Sequence, residues 1–95
     1  MGIKHVEGRK KGNIMLYALS TCVWCKKTKR LLNTLNIAYD YIDVDLVGGD
    51  ESEKIKETVL KWNPSGSYPT IVVDEQQSIV GYDPEKIKEV LGNDR

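Results

Sequence analysis

An almost uninterrupted apolar run, Ile14-Met15-Leu16-Tyr17-Ala18-Leu19, passes straight into a helix-like pattern, and no other feature restricts the fold as much. A short apolar run with no polar alternation reads as a strand buried on both faces. Ser20-Thr21 follow with helix-capping chemistry, Thr21 being the expected cap. The next stretch, from about Val23 to Asn36, has helical periodicity. At about 100° per residue, Thr28, Leu31, Leu32 and Leu35 share one stripe with Cys25. Lys26, Lys27, Arg30, Asn33 and Thr34 fall on the other side. A buried strand feeding an amphipathic helix is the opening of an α/β unit.

The remaining pattern extends that unit. Tyr39 to Asp45 reads as a second strand with partial alternation, broken by Gly48-Gly49, a loop without phosphate-binding context. Asp50 and Glu53 have capping-box spacing and open a helix to about Trp62, with Ile55, Val59 and Trp62 as its core positions. Asn63-Pro64-Ser65-Gly66-Ser67 ends it. Thr70 to Asp74 is a β-branched strand, turned by Glu75-Gln76 into Ser78-Ile79-Val80 as a hairpin. Asp83 and Pro84 start a last helix, and Gly92 ends it. The expected order is βαβαββα, a four-stranded mixed sheet flanked by helices, its first two strands parallel. Residues 14–92 form the expected single domain. Residues 1–13 read as a flexible basic arm, with a possible edge segment at Ile3 to Val6, and 93–95 as a tail.

Length and composition set the outer bounds. Ninety-five residues, 40% apolar and 29% charged, suit one globular domain. The longest apolar run falls far below the roughly 20 residues needed to span a bilayer, and no secretory signal is visible, so the cytoplasm is the expected home. A net charge of zero argues against a nucleic-acid binder. The zero hides a split: residues 1–39 hold eight Lys/Arg against one acid, residues 40–95 six against thirteen. Lys26, Lys27, Lys29 and Arg30 put part of that excess on the first helix, which predicts a positive potential there suited to an anionic thiol or an acidic protein tail.

The chemistry rests on the two cysteines, Cys22 and Cys25. A Cys-x-x-Cys at a βα junction in a reducing compartment reads as a redox motif. At i and i+3 the sulfurs lie on adjacent turns and can close a 14-membered ring. Cys22 is expected at the helix N-terminus, where unpaired N–H groups and the dipole favour a thiolate, with Lys26 as a second candidate stabiliser. Such sites draw a cysteine pKa from about 8.5 to roughly 3.5–7.5. Cys22 is then the attacking thiolate and Cys25 the resolving thiol. A structural zinc site wants four ligands, and beyond the cysteines only His5 and carboxylates are on offer. A static disulfide conflicts with a reducing cytoplasm. The chief alternative is an iron–sulfur module in which two chains share a cluster through Cys22 and external thiols. Among other residues, Trp24 is expected to stack on substrate, Tyr82 to cap a groove, and Tyr17 either to reach Cys22 or to serve structure. His5, Asp43 and Asp45 read as solvated.

Over Ile14 to Leu91 the sequence resembles the glutaredoxin family. The resemblance is carried by Tyr17, Cys22-Val23-Trp24-Cys25, Tyr68-Pro69-Thr70 and Gly81-Tyr82-Asp83. It implies a thioredoxin-like fold and dithiol oxidoreductase activity of the glutaredoxin or NrdH-redoxin kind. It also implies a cis Pro69 facing the nucleophile, a Tyr68 backbone that pairs with an extended substrate, and Thr70 in the same binding segment. Asp83 stands where the family holds the γ-glutamyl end of glutathione, and Lys61 where a carboxylate is met. No permanently bound cofactor is implied; glutathione or another low-molecular-weight thiol is the expected reductant, or a thioredoxin-reductase-like donor. The implied partners are disulfide-bearing proteins, ribonucleotide reductase among them, met by a monomer, with no membrane and no nucleic acid. Three departures weaken glutathione use. Val23-Trp24 replaces Pro-Tyr, leaning toward the NrdH-like redoxins. Leu19 stands in place of a lysine, and Gly81-Tyr82 in place of a double glycine. Leu16 to Lys29 is also similar to glutaredoxin-like proteins of methanogenic archaea, which points to a thiol other than glutathione.

Overall fold

A computed structural model describes residues 2–92; the expected tail at 93–95 lies outside them. The elements are β1 (Lys4–Val6), β2 (Ile14–Ala18), α1 (Val23–Thr34), β3 (Tyr39–Asp43), α2 (Gly49–Trp62), β4 (Thr70–Val73), β5 (Gln77–Val80) and α3 (Pro84–Leu91). The sheet has five strands, not four, in the order β1-β3-β2-β4-β5. The fifth is β1, antiparallel to β3 with Lys4 opposite Tyr41 and Val6 opposite Tyr39. This is the edge segment expected at Ile3 to Val6, so these residues are a strand of the sheet and not part of a free arm. β2 runs parallel to β3 and antiparallel to β4, and β4 and β5 form the expected hairpin.

Alternation along the central strands divides the core into two layers. Ile14, Leu16 and Ala18 of β2 and Ile71 and Val73 of β4 join Cys25 and Leu32 of α1 and Ile87 and Leu91 of α3 in one cluster. The projected stripe of α1 is thus the buried one: Cys25, Thr28 and Leu32 are fully covered. Ile42 and Val72 point to the other face, where α2 contributes the buried Val59. Trp62, expected in the core, is only half-buried; it lines a cleft of about 480 Å³ with Met15, Tyr17, Lys61 and Glu75. It sits on the last turn of α2, where the helix runs out over the sheet.

Several local expectations need correction. β3 ends at Asp43, and Val44–Leu46 forms a 3₁₀ turn instead of continuing the strand. Asp43 is not solvated: its carboxylate lies 3.1 Å from the Lys29 ammonium, and the two side chains are only 13% and 22% exposed. Asp45 is exposed, as expected, and accepts hydrogen bonds from the Ser20 hydroxyl and from the Ser20 backbone N–H (2.8 Å), which hold its carboxyl below the usual range. The α2 N-cap is Gly48 with no side-chain cap, so Asp50 and Glu53 form no capping box. His5 is half-exposed but partnered, with Nδ1 2.7 Å from Asp40 and Nε2 3.3 Å from Glu7. The hairpin turns through Asp74 and Glu75, both at positive φ (55° and 54°), the geometry of a type I′ turn. Among the described residues no helix is long and apolar enough to cross a membrane.

Candidate active site at the start of the first helix

All chemistry-bearing segments gather at one end of the sheet because of strand direction. The parallel strands β2 and β3 end there, and antiparallel β4 begins there, with Thr70 opposite both Tyr17 and Val80. The β2–α1 junction, the segment entering β4 and the β5–α3 loop therefore converge.

Cys22 is itself the N-cap of α1, with extended backbone (φ −85°, ψ 118°). Its Sγ accepts the backbone N–H of Cys25 at 3.1 Å. The expected cap, Thr21, is displaced by one residue, since the chain leaves β2 at Ala18 and the Cys22 N–H is first tied to the Leu19 carbonyl (3.1 Å). The sulfur therefore takes one of the donors that a helix start leaves unpaired. Cys22 is partly exposed, Cys25 is fully buried, and both are free thiols. Burial is the first cause that pushes the Cys25 thiol up, to about 12, with a hydrogen bond to the Cys22 sulfur behind it. The backbone at Leu19 and the charge of Lys29 pull the other way.

The cation that lowers the Cys25 pKa from α1 is Lys29, while Lys26 is exposed. Lys29 is held by Asp43 and by the Tyr41 ring, whose centroid lies 4.2 Å from its Nζ. Tyr17 does not reach Cys22. Strand alternation sends it to the α2 face, where burial, and secondarily Glu75, raise its hydroxyl pKa.

The segment facing the cysteines is Tyr68-Pro69-Thr70. The Tyr68–Pro69 peptide bond is cis, as the resemblance implies. Tyr68 packs, as Cys22 does, against the core cluster that contains Cys25, and burial, then the charge of Cys25, raises its hydroxyl pKa. Gly81 N–H donates to the Pro69 carbonyl (2.8 Å) and ties the β5–α3 loop to this segment. The Thr70 side chain has no free surface: its hydroxyl donates to the Ser67 carbonyl (2.8 Å) and accepts from Asn63 Nδ2 (3.0 Å). Asn63 is the residue the sequence pattern hid. It reads as a helix breaker before Pro64, yet it is 2% exposed and its amide also binds Ser65 and Ser67. A buried polar side chain with this many partners fixes the loop that delivers Pro69.

Trp24 and Tyr82 form the far wall. Their rings stack with centroids 5.7 Å apart and planes 28° apart, and Lys27 Nζ lies 4.6 Å from the Trp24 centroid. Trp24 remains 54% exposed. Asp83 caps α3, its Oδ1 accepting the Lys86 N–H at 3.1 Å. Among the described residues no three or more His, Cys, Asp or Glu side chains converge as metal ligands.

A partly exposed thiol capping a helix, a buried thiol one turn behind it and a cis-proline in the segment that enters β4 at the same end of the sheet define a dithiol redox domain of the thioredoxin-like class. The glutaredoxin family profile matches residues 14–77, and the chain belongs to the glutaredoxin family. The glutaredoxin of Methanosarcina mazei Go1 is similar over 98% of this chain and 90% of its own, with 44% identity and a TM-score of 0.91. Methanosarcina acetivorans methanoredoxin is similar over 90% of both chains, with 43% identity and a TM-score of 0.87. A glutaredoxin-like 8.6 kDa protein of the Clostridium pasteurianum rubredoxin operon is 32% identical over 78 residues, 82% of this chain and 96% of that protein. Thiol–disulfide oxidoreduction is the class of activity that goes with this family.

Proposed function

We propose that the protein reduces disulfides, chiefly in protein substrates, by dithiol exchange with Cys22 as nucleophile and Cys25 as resolving thiol. The observation that carries this is the pairing of a Cys22 sulfur that accepts a helix N–H with a fully buried Cys25 three residues on. The Cys22 thiolate attacks one sulfur of the target disulfide; a Cys22–target bond forms and the other target sulfur leaves as a thiolate. Cys25 then loses its proton and attacks Cys22 Sγ, releasing the second target thiol and leaving a Cys22–Cys25 disulfide. Two electrons have passed to the target. A thiol donor, glutathione or another low-molecular-weight thiol, or a thioredoxin-reductase-like protein restores the dithiol.

The order of events has an electrostatic reason. Two of the causes that raise the Cys25 pKa, the hydrogen bond and the charge of Cys22, require a free Cys22 sulfur. Once Cys22 is in a mixed disulfide both vanish, while Lys29 still favours the Cys25 thiolate. Burial, the largest cause, acts in both states, so forming the mixed disulfide lowers the Cys25 pKa only through these lesser causes.

Tyr68, Pro69, Trp24 and Tyr82 flank the reacting sulfur as the substrate groove. Asp83 is a further candidate contact, and Thr70 acts through its backbone and its anchoring of the loop. Ribonucleotide reductase is one target class, and the acting form is a monomer in the cytoplasm. The bulky Val23-Trp24 pair between the cysteines, with Trp24 stacked on Tyr82, favours exchange over a cluster shared between two chains.

Mild oxidation of the reduced protein is expected to remove two hydrogens by mass. Cys25→Ser is expected to accumulate a mixed disulfide with target. A wild-type chain that never forms the bridge overturns the reading. Parallel assays with each donor identify the reductant as the one that supports repeated turnover.

A further inference from the structure

Behind the aromatic wall lies a bay of about 330 Å³ lined by Lys27, Arg30, Leu31, Thr34 and Tyr82. Tyr82 has one ring in two places: it stacks on Trp24 and it walls the bay, so the bay continues the groove beside Cys22. Lys27 and Arg30 stand three residues apart on α1 and share a face. Lys29 is different: it turns to the core side and is neutralised by Asp43. The two cations of the bay are exposed, and no carboxylate lines it. Lys27 Nζ also stays within 4.6 Å of the Trp24 centroid, so one ammonium is held at the boundary between groove and bay.

We propose that this bay docks acidic side chains of the protein substrate, a few residues away along the chain from the cysteine that Cys22 attacks. The inference rests on the dithiol reading and adds a substrate preference to it. Charge complementarity selects a carboxylate. Distance selects a peptide. Arg30 follows Cys22 by eight positions, and at the helical rise its Cα lies about 12 Å further along the axis. An extended peptide crosses that span with about four residues. A small thiol whose anionic group lies close to its own sulfur cannot touch Cys22 and Arg30 together. The preferred target is therefore a disulfide with Asp or Glu near the fourth residue from the reactive cysteine.

The test uses the full reduced chain and peptides whose single cysteine is capped as a mixed disulfide with 2-mercaptoethanol, a neutral thiol. Each carries Glu-Glu, Gln-Gln or Lys-Lys at the fourth and fifth positions, in separate series before and after the cysteine. Stopped-flow reduction at low salt is expected to run about tenfold faster for Glu-Glu than for Gln-Gln in one of the two series, with Lys-Lys slowest. Near 1 M salt, where screening acts over about 3 Å, the advantage is expected to fall to about twofold. The Lys27→Gln/Arg30→Gln double variant is expected to bring the Glu/Gln ratio to about one. Lys56→Gln, a charge removed from α2, is expected to leave the ratio as in wild type. Equal rates for Glu and Gln peptides in both series overturn the proposal. So does a ratio that survives the double variant, or one that falls equally in Lys56→Gln, since either assigns the effect to the general field. Failure to reduce any of the peptides, neutral ones included, instead overturns the dithiol reading on which the bay depends.

Discussion

Cys25 is where burial and reactivity meet most directly. Its thiol is pushed from 9.0 to about 12 in the folded chain, first by burial. The unfolded chain therefore releases this proton earlier, and stability falls as pH rises. The contribution is complete below pH 9 and is lost between 9 and 12. Tyr39, raised from 10.0 to about 12 by burial, adds to the decline only above pH 10. The urea midpoint of the reduced protein is expected to drop between pH 9 and 10, and to drop less in Cys25→Ala; equal slopes would remove Cys25 as the cause. Kinetics give a second measurement. Because only a thiolate resolves the Cys22 mixed disulfide, its release is expected to accelerate about tenfold per unit from pH 6 to 7, followed by quenched mass spectrometry. The unequal burial of the two cysteines was legible in the sequence, since helical projection puts Cys25 on the stripe with Thr28 and Leu32. The Lys29–Asp43 pair was not: it joins residues 14 apart through a strand register and a helix rotation that no local pattern specifies.

At the level of elements, the segment between α2 and β4 owes its shape to one side chain. The buried Asn63 donates to Ser67 and Thr70 and accepts from Ser65. Asn63→Ala removes the amide, takes from the Thr70 hydroxyl its donor and from the loop its other partners, at a cost of about 2–3 kcal/mol, the usual range for unpaired buried polar groups. Chemical denaturation is expected to show that loss, together with slower reduction of protein disulfides, because the loop carries Tyr68 and Pro69 to Cys22. A variant that loses stability but keeps its rate would separate the loop from the site. Asn-Pro announced only a helix end; the buried network depends on contacts across the loop. The strands and helices themselves were legible, since apolar runs, the Asp83-Pro84 start and the hairpin residues each act over a few positions. The caps of α1 and α2 were read wrongly for one reason: side-chain preference ranks capping residues, but the path of the entering chain chooses the position.

Across the whole molecule, the charge split in the sequence is partly undone by the topology. The basic N-terminal segment is laid against acidic β3, where His5 faces Asp40, and Lys29 reaches Asp43. What remains on α1 is the exposed set Lys26, Lys27 and Arg30. The same segment is more than an arm. Arg9 bridges Ile37, its N–H donating to the Asn36 carbonyl (2.7 Å) and its carbonyl accepting from Ala38 (2.8 Å). Its guanidinium donates to the Leu35 carbonyl at 3.0 Å, supplying the cation that the last turn of α1 lacks. Gly8 permits this approach, since a Cβ there would lie 2.6 Å from the Ile37 carbonyl carbon. Asn13 then clamps the hairpin, exchanging hydrogen bonds with Asp74 at 2.7 Å in both directions. These contacts, which bind residues 4–13 to the expected 14–92 domain, predict a graded loss on truncation. Removing residues 1–7 deletes β1 and leaves the Arg9 and Asn13 contacts, and the melting temperature is expected to fall by about 4–8 °C, the equivalent of about 1 kcal/mol. Removing residues 1–13 also frees the end of α1 and the hairpin turn, and about twice that loss is expected. Both truncated chains are expected to form the Cys22–Cys25 disulfide at the wild-type rate, because two strands separate β1 from β4 and the cysteines sit at the opposite end of α1 from Arg9. A drop in the rate of disulfide formation in the shorter truncation would show that the segment shapes the site as well as the scaffold.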